Sequence, residues 1–336
     1  MAKAGSLGSL VMGGSLVMGI CLAAILTLGA LPGDAEAQSW EPRKPVELVI
    51  MAGKGGGADK MARRFKRIIE DEELSPVPFV PINKPEGSGA EALSYMSKNR
   101  GNPHGVMVTL NSFYTTPLRR PELKIDINAF TPIGRMAEDT FVLWVHSDSK
   151  IQSLDEFIAA AKAKGDKWVM AGTGKSSEDN LLTDTLNAAY GLKMKYVPFK
   201  GGGRVAKELV EKRADSTVNN PAEQEDYFLE GLTRPLAVFT PERLDMFTEV
   251  PTFKEKGREM VYFMQRSIVG PPGMSNEAAA FYQDLFREVY ESKDWQDYMN
   301  QASLRGNFLT GDDLKSYWMQ ERDIHRNLLA KMGEIN

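Results

Sequence analysis

A single cysteine, Cys21, and three histidines, His104, His146 and His325, leave the chain little material for thiol or metal chemistry. The histidines lie far apart and share no metal-ligand spacing. There is no G-x-S-x-G elbow, and Ser176 has no histidine near it in sequence, so a nucleophilic triad finds no support. Positive charge is not in excess: 41 Lys and Arg stand against 45 Asp and Glu, a net charge of −4, which argues against a nucleic-acid partner. These shortages predict a protein without metal or cofactor that is not an enzyme.

Long apolar runs are missing too, except for one. Lys3 is followed by an apolar stretch from Leu7 to Leu31 and then by Ala35-Glu36-Ala37. A positive start, a hydrophobic core and an A-x-A exit form a signal peptide over 1–37, with the mature chain starting near Gln38. The competing reading is an uncleaved anchor, because the run is long for a signal peptide. A lipoprotein is disfavoured, since Ile20 precedes Cys21 where a small residue is wanted. Cleavage would remove Cys21 and leave an exported chain with neither disulfide nor thiol nucleophile. The composition, 42% hydrophobic and 26% charged in 336 residues, suits one large α/β unit or two domains.

What the chain does have is glycine at the ends of strands. Val46 to Met51 is a mostly apolar, β-prone run, and Ala58, Met61, Ala62, Phe65, Ile68 and Ile69 fall at helical spacing. Between them lie Gly53, Lys54, Gly55, Gly56 and Gly57, with Asp59 placed to cap the helix or sit in its first turn. Bare amides at the end of a strand and the start of a helix attract phosphate or carboxylate alike. Strand–turn–helix recurs three more times: at Gly87-Ser88-Gly89; at Gly172-Thr173-Gly174 with Ser176 and Ser177; and at Lys200-Gly201-Gly202. A strand over 106–110 ends in Asn111-Ser112-Phe113, and a short strand over 215–218 ends in Asn219-Asn220. In open α/β sheets ligands bind beyond the carboxyl ends of strands. Phe113, Tyr114 and Phe199 are candidates to line the body of a ligand. With two turns in each half, the pattern predicts two similar α/β domains facing one cleft. Phe141 to Val145 would cross out of the first domain and Val261 to Gly270 would return, with few other contacts between the two and a hinge closure on binding.

Two nucleotide motifs fail. Gly53-x-Gly55-x-x-Ala58 matches a dinucleotide fingerprint, but Asn83-Lys84 stands where a ribose-binding acid belongs. Gly174-Lys175-Ser176 resembles the tail of a P-loop, but Val169 replaces its first glycine. Asp59, Glu178 and Asp179 could pair as carboxylates across the cleft; caps at helix starts explain acids there more simply. Donors without a nucleophile or base suit binding rather than turnover. The ligand expected is an anion with more than one anchoring end, a carboxylate above phosphate or sulfate.

At this point an ordered series of motifs resembles the extracytoplasmic solute receptors of tripartite tricarboxylate transporters, the TctC or Bug family. Gly55-Gly56-x-x-Asp59-x-x-Ala62-Arg63 resembles the family's P-G-G-x-x-D-x-x-A-R, and Asn83-x-Pro85-x-Gly87-x-Gly89 its N-x-P-G-A-G-G. Phe130-Thr131-Pro132-Ile133, Gly172-x-Gly174-x-Ser176-Ser177, Val197-Pro198-Phe199-Lys200-Gly201-Gly202 and Val250-Pro251-Thr252-Phe253 follow in the family's order. The resemblance implies a type II periplasmic-binding-protein fold, two α/β domains closing over a carboxylate. On that basis the domains are 38–142 plus 265–336, and 143–264. It also implies a site built from Lys54 to Gly57 with Asp59, Gly87 to Gly89, Gly172 to Ser177, and Lys200 to Gly202. The usual first-loop proline is replaced, the family's frequent histidine after the Ser-Ser pair gives way to Glu178-Asp179, and Asn219 stands where many members have Asp. Lys54 would then pair with a second carboxylate, and Asn219 would favour a neutral or acidic group over an amine.

The expected function is a monomeric periplasmic receptor that hands an organic carboxylate to membrane transporter subunits. A sensing role for the same binding protein, and a secreted enzyme acting on such acids, are the alternatives.

Overall fold

A computed structural model describes residues 40–335; the expected leader, 1–37, lies outside them. Among the described residues no helix is long and apolar enough to cross a membrane.

The apolar runs fold as two five-stranded sheets. The first has the order β2-β1-β3-β10-β4, from β1 (Val46–Ile50), β2 (Phe79–Asn83), β3 (Gly105–Thr109), β4 (Thr131–Thr140) and β10 (Phe263–Gly270). The second has the order β7-β6-β8-β5-β9, from β5 (Val142–His146), β6 (Val169–Thr173), β7 (Lys195–Phe199), β8 (Ser216–Asn219) and β9 (Thr233–Val238). The two orders are the same device used twice. Three parallel strands lie side by side, β2-β1-β3 and β7-β6-β8. One antiparallel strand that follows or precedes a crossing between sheets, β10 or β5, then separates them from an outer strand.

Side-chain alternation in β1 feeds both faces of the first sheet. Leu48 and Ile50 join Val106, Val108 and Ile268 in a core beneath α1 (Gly57–Asp71), α8 (Asn276–Glu291) and α9 (Lys293–Gln301). Val49 and Met51 face the other way, against α2 (Ala90–Lys98), α3 (Ser112–Arg119) and α10 (Gly311–Lys331). In the second lobe α4 (Leu154–Lys164), α5 (Glu178–Tyr190), α6 (Gly202–Val210) and α7 (Pro221–Leu229) accompany the sheet. Its core includes Phe157, Trp168, Leu181 and Leu186. This is the two-domain type II periplasmic-binding-protein architecture, and in each lobe the carboxyl ends of the parallel strands carry the glycine loops.

Three differences from the sequence reading stand out. β4, which begins on the Thr131-Pro132-Ile133 motif, is a ten-residue strand that the sequence reading did not single out. Its pairing with β10 shifts register twice, and such irregularities break the alternation by which strands are read. The segment after β3 is not an open turn but α3, hidden in sequence by hydroxyl residues and by Pro117 inside it. Finally, contacts between the lobes are not confined to two linkers. The chain crosses at Phe141 and again within 239–262, where Phe239 N–H donates to Phe141 O at 3.1 Å and Tyr262 N–H to Phe239 O at 2.9 Å. It spans the lobes a third time along α10. There Leu314 and Trp318 pack in the first lobe and Leu329 in the core of the second, so the tail of the chain divides between the lobes rather than belonging wholly to the first.

Candidate functional site

Four glycine or hydroxyl loops meet over a cavity of about 320 Å³ between the lobes. Gly53, Gly56 and Gly57 line it from the loop after β1, and Gly87 and Ser88 from the loop after β2. The second lobe contributes Thr173, Gly174 and Ser177 from the loop after β6, and Phe199, Lys200, Gly201 and Gly202 from the loop after β7. Ser112, at the first turn of α3, closes the wall.

The lobes touch through bare backbone. A methyl group on Gly53 would lie 2.8 Å from Lys200 O, and one on Gly203 2.8 Å from Gly55 O. Gly201 holds φ +89°, a conformation that glycine adopts without strain, and a Cβ there would lie 3.1 Å from Gly53 Cα. Side chains add to the contact. Ser88 Oγ donates to Lys175 O at 2.6 Å, and Lys60 Nζ donates to Ala222 O at 2.5 Å. At the rim Lys200 Nζ lies 2.6 Å from Glu86 Oε1.

Gly53, Gly56, Ser88, Lys175, Ser177 and Gly201 line the cavity, and their amides have no protein acceptor among the described residues. They come from both lobes. Two other helix-start amides of the first lobe are taken, and by acids of the second. Gly57 N–H donates to Glu223 Oε1 at 2.9 Å, and Ser112 N–H to Glu178 Oε1 at 2.7 Å. Glu223 is anchored at its other oxygen, where Asn219 Nδ2 donates at 2.7 Å and Asn220 N–H at 3.2 Å, so one carboxylate joins the starts of α1 and α7. Asp179 is nearly fully buried and receives the Thr173 N–H at 2.7 Å. Burial, with the neighbouring Glu223 and Glu178 charges adding to it, pushes its carboxyl well above the ordinary range.

The buried cation of the site is Arg266, on β10. It pairs with Asp139 and donates to Asn220 Oδ1 of the second lobe at 3.1 Å. Burial outweighs that pairing at Asp139 and raises its carboxyl to about 6. Asp139 Oδ1 has no partner of its own.

Several residues expected at the site sit elsewhere. Lys54 and Gly55 are exposed and do not line the cavity. Asp59 works from beneath: Gly55 N–H donates to it at 3.0 Å, and Arg63 and Asn83 hold its other positions. Burial alone would raise its carboxyl, but these donors outweigh it and hold the group below the usual value. Gly89 and Gly172 shape their loops without lining the cavity, Gly172 lying where a methyl would meet Asp179 Cβ at 2.8 Å. Asn111 is buried at the joint between the lobes and donates to Tyr262 OH at 3.1 Å and Phe263 O at 2.9 Å. Phe113 packs with Phe130 and Trp318 in the core, and Tyr114 is buried beside His325; of the three aromatic candidates Phe199 alone reaches the cavity. Ser176 turns outward, its N–H on Asn180 Oδ1 at 3.1 Å. Asn219 is fully buried behind Glu223, so its proposed discrimination against amines loses its footing.

Glu223, Arg266 and Tyr196 escaped the sequence reading. Tyr196 OH bridges Thr173 O and Gly174 O, each at 2.9 Å, and fixes the third loop. Glu223 had a readable signal, three residues after Asn220 as in a capping box. Arg266 had none, since its charge is met only by strands distant in sequence.

Comparison with known proteins agrees with this fold. A family described as "Tripartite tricarboxylate transporter family receptor" matches residues 72–331. The chain is 24% identical to the "UPF0065 protein in gbd 5'region" of Cupriavidus necator over 92% of this chain and 94% of that protein. Among solved structures, the periplasmic binding protein BugD superposes with a TM-score of 0.81 at 19% identity, covering 88% of this chain and 99% of BugD. An R. palustris protein solved with adipate also gives 0.81, at 22% identity, over 87% of this chain and 98% of that one.

Proposed function

The chain belongs to the receptor family of tripartite tricarboxylate transporters, and on that premise we propose that it is a periplasmic receptor that binds an organic carboxylate between its lobes and passes it to the membrane subunits of such a transporter. One observation carries the reading: loop residues of both lobes whose amides have no acceptor among the described residues line one cavity. Such amides bind an oxyanion without altering it. Adipate, with which the R. palustris protein was solved, has a carboxylate at each end.

The test is thermal unfolding of the purified exported protein against a panel of mono-, di- and tricarboxylates, with phosphate and sulfate as controls. A true ligand at a hundredfold excess over its dissociation constant adds about 2.7 kcal/mol of stability. A shift with phosphate or sulfate and none with any organic acid overturns the reading. Mass spectrometry of the small molecule that co-purifies identifies the acid directly. Loss of uptake of that acid on deletion of the adjacent membrane subunits tests the transport step, and retained uptake contradicts it.

A further inference from the structure

Four helices bring their starts together in pairs across the cleft: α1, from Gly57, meets α7, from Pro221, and α3, from Ser112, meets α5, from Glu178. A helix start carries partial positive charge, so two starts placed together repel unless an anion lies between them. In each pair that anion is a side chain of the second lobe. Glu223, in the first turn of α7, takes the Gly57 N–H at 2.9 Å. Glu178, the first residue of α5, takes the Ser112 N–H at 2.7 Å and the Ser112 hydroxyl at 3.3 Å.

Both acids are built into place. The second oxygen of Glu223 holds the Asn219 side-chain amide and the Asn220 N–H. Its carboxylate lies against Gly202, where a methyl group would run into it, and a methyl on Gly56 of the facing lobe would lie 3.3 Å from Oε1. Glycine on both sides thus leaves room for one carboxylate between the lobes. Glu178 is only 6% exposed. The Lys200–Glu86 pair at the rim is exposed at both members, and water and salt screen such a pair.

We propose that Glu178 and Glu223 are positioning residues that close the lobes ahead of the ligand, supplying from within the chain the carboxylates that the starts of α1 and α3 call for. This rests on the receptor reading and concerns the order of events at that site. Neither contact needs a ligand. The cleft then has to open before an acid enters, and the acid is left the loop amides that these two side chains do not occupy. Closure on binding becomes a return to an arrangement that the chain already favours.

The experiment compares the native exported chain with a double variant, Glu178→Leu with Glu223→Leu, in which apolar groups of similar size replace both acceptors. Each is unfolded, dialysed and refolded so that no small molecule stays bound, and thermal unfolding checks the fold. Small-angle scattering without added acid then gives a compact native chain and a variant with a larger radius of gyration. Where the double variant does not fold, Glu178→Leu alone, which leaves the start of α7 intact, is measured in its place. A native chain as extended as the variant overturns the inference. A variant as compact as the native chain overturns the assignment to these two acids. Stopped-flow mixing with succinate, adipate and citrate gives the second readout. An acid that binds associates with the variant at least tenfold faster, since the native cleft is open about a tenth of the time or less. Weaker binding through faster dissociation alone, with association unchanged, overturns closure ahead of the ligand. Binding by none of these acids, nor by any acid of the wider panel, removes the receptor reading, and scattering still decides the closure by itself.

Discussion

In the first lobe α1 and α2 begin at Gly56 and Gly89, glycines that offer no side chain to cap them. In the second lobe α6 begins likewise at Gly201, but α5 begins at Ser177, whose hydroxyl accepts from Asn180 N–H, and α7 at Asn220, whose N–H donates to Glu223. The sheets have the same strand order and the loops leave them at corresponding strand ends. Their chemistry at the cleft differs. Both lobes present amides that they do not satisfy themselves, but acids of the second lobe satisfy two donors of the first, at Gly57 and Ser112. A repeated architecture therefore does not give a repeated site: Glu178 and Glu223, at the first turns of α5 and α7, reach across to donors of the first lobe, and among the described residues no acid of the first lobe reaches an amide of the second.

The largest effect that would break this comparison concerns the base of the first lobe. Arg266→Leu leaves Asp139 buried without its cation, so that it must stay charged at a cost or take up a proton, and loss of one member of a buried pair costs about 3–5 kcal/mol. Urea unfolding measures it; a loss below about 1 kcal/mol would show that the first lobe does not depend on this cation.

Next is the joint, which belongs to neither lobe. Burial holds His325 far below an ordinary histidine, at about 4, with Tyr262 OH 2.9 Å from Nε2, Glu321 O on Nδ1, and Asn111 and Arg119 nearby. An unfolded histidine takes up its proton near 6.5. The contribution of His325 to stability is thus present above about 6.5 and is lost as pH falls to about 4, by up to about 3 kcal/mol. Asp139, raised to about 6, acts in the opposite sense: its contribution is present below its unfolded value and is lost as pH rises through about 6. The native slope is the difference of the two. In His325→Gln, stability measured between pH 6.5 and 4 should fall less on acidification than in the native chain. An unchanged slope places the acid sensitivity elsewhere.

Gly53→Ala sharpens the comparison at the contact of the lobes. Its methyl would meet the backbone oxygen of Lys200, which cannot turn aside as a side chain can. The lobes are expected to stand farther apart, with at least tenfold weaker binding of the tightest acid, about 1.4 kcal/mol. Small-angle scattering and titration check both. The smallest effect is Ser177→Ala, a lost helix cap worth about 1 kcal/mol in chemical denaturation. A loss of that size contrasts with α1 and α2, whose starts hold no side-chain cap to remove.

How far the sequence reached can be judged from particular residues. The glycine loops were legible because a glycine-dense turn between a β-prone run and a helical period is a local signal. Asp59 was legible as a first-turn acid, but its task, holding Gly55 N–H and Arg63 beneath the loop, was not. Lys54 and Phe113 were misplaced for a related reason. Position in a loop does not say which side of it faces the cavity, and a residue just past a strand can begin a helix and turn into the core, as Phe113 does.

The sequence alone determined the alternation of strands and helices, the glycine turns at strand ends, and hence two α/β lobes built alike. Those features follow from interactions within a few residues, which the order of the chain specifies directly. The tertiary structure decided that Glu223 reaches Gly57 across 166 positions, that Arg266 meets Asp139 across 127, and that Glu178, Asp179 and Glu223 rather than Lys54 line the cavity. Burial and the meeting of distant side chains fix those outcomes, and neither is encoded in local spacing.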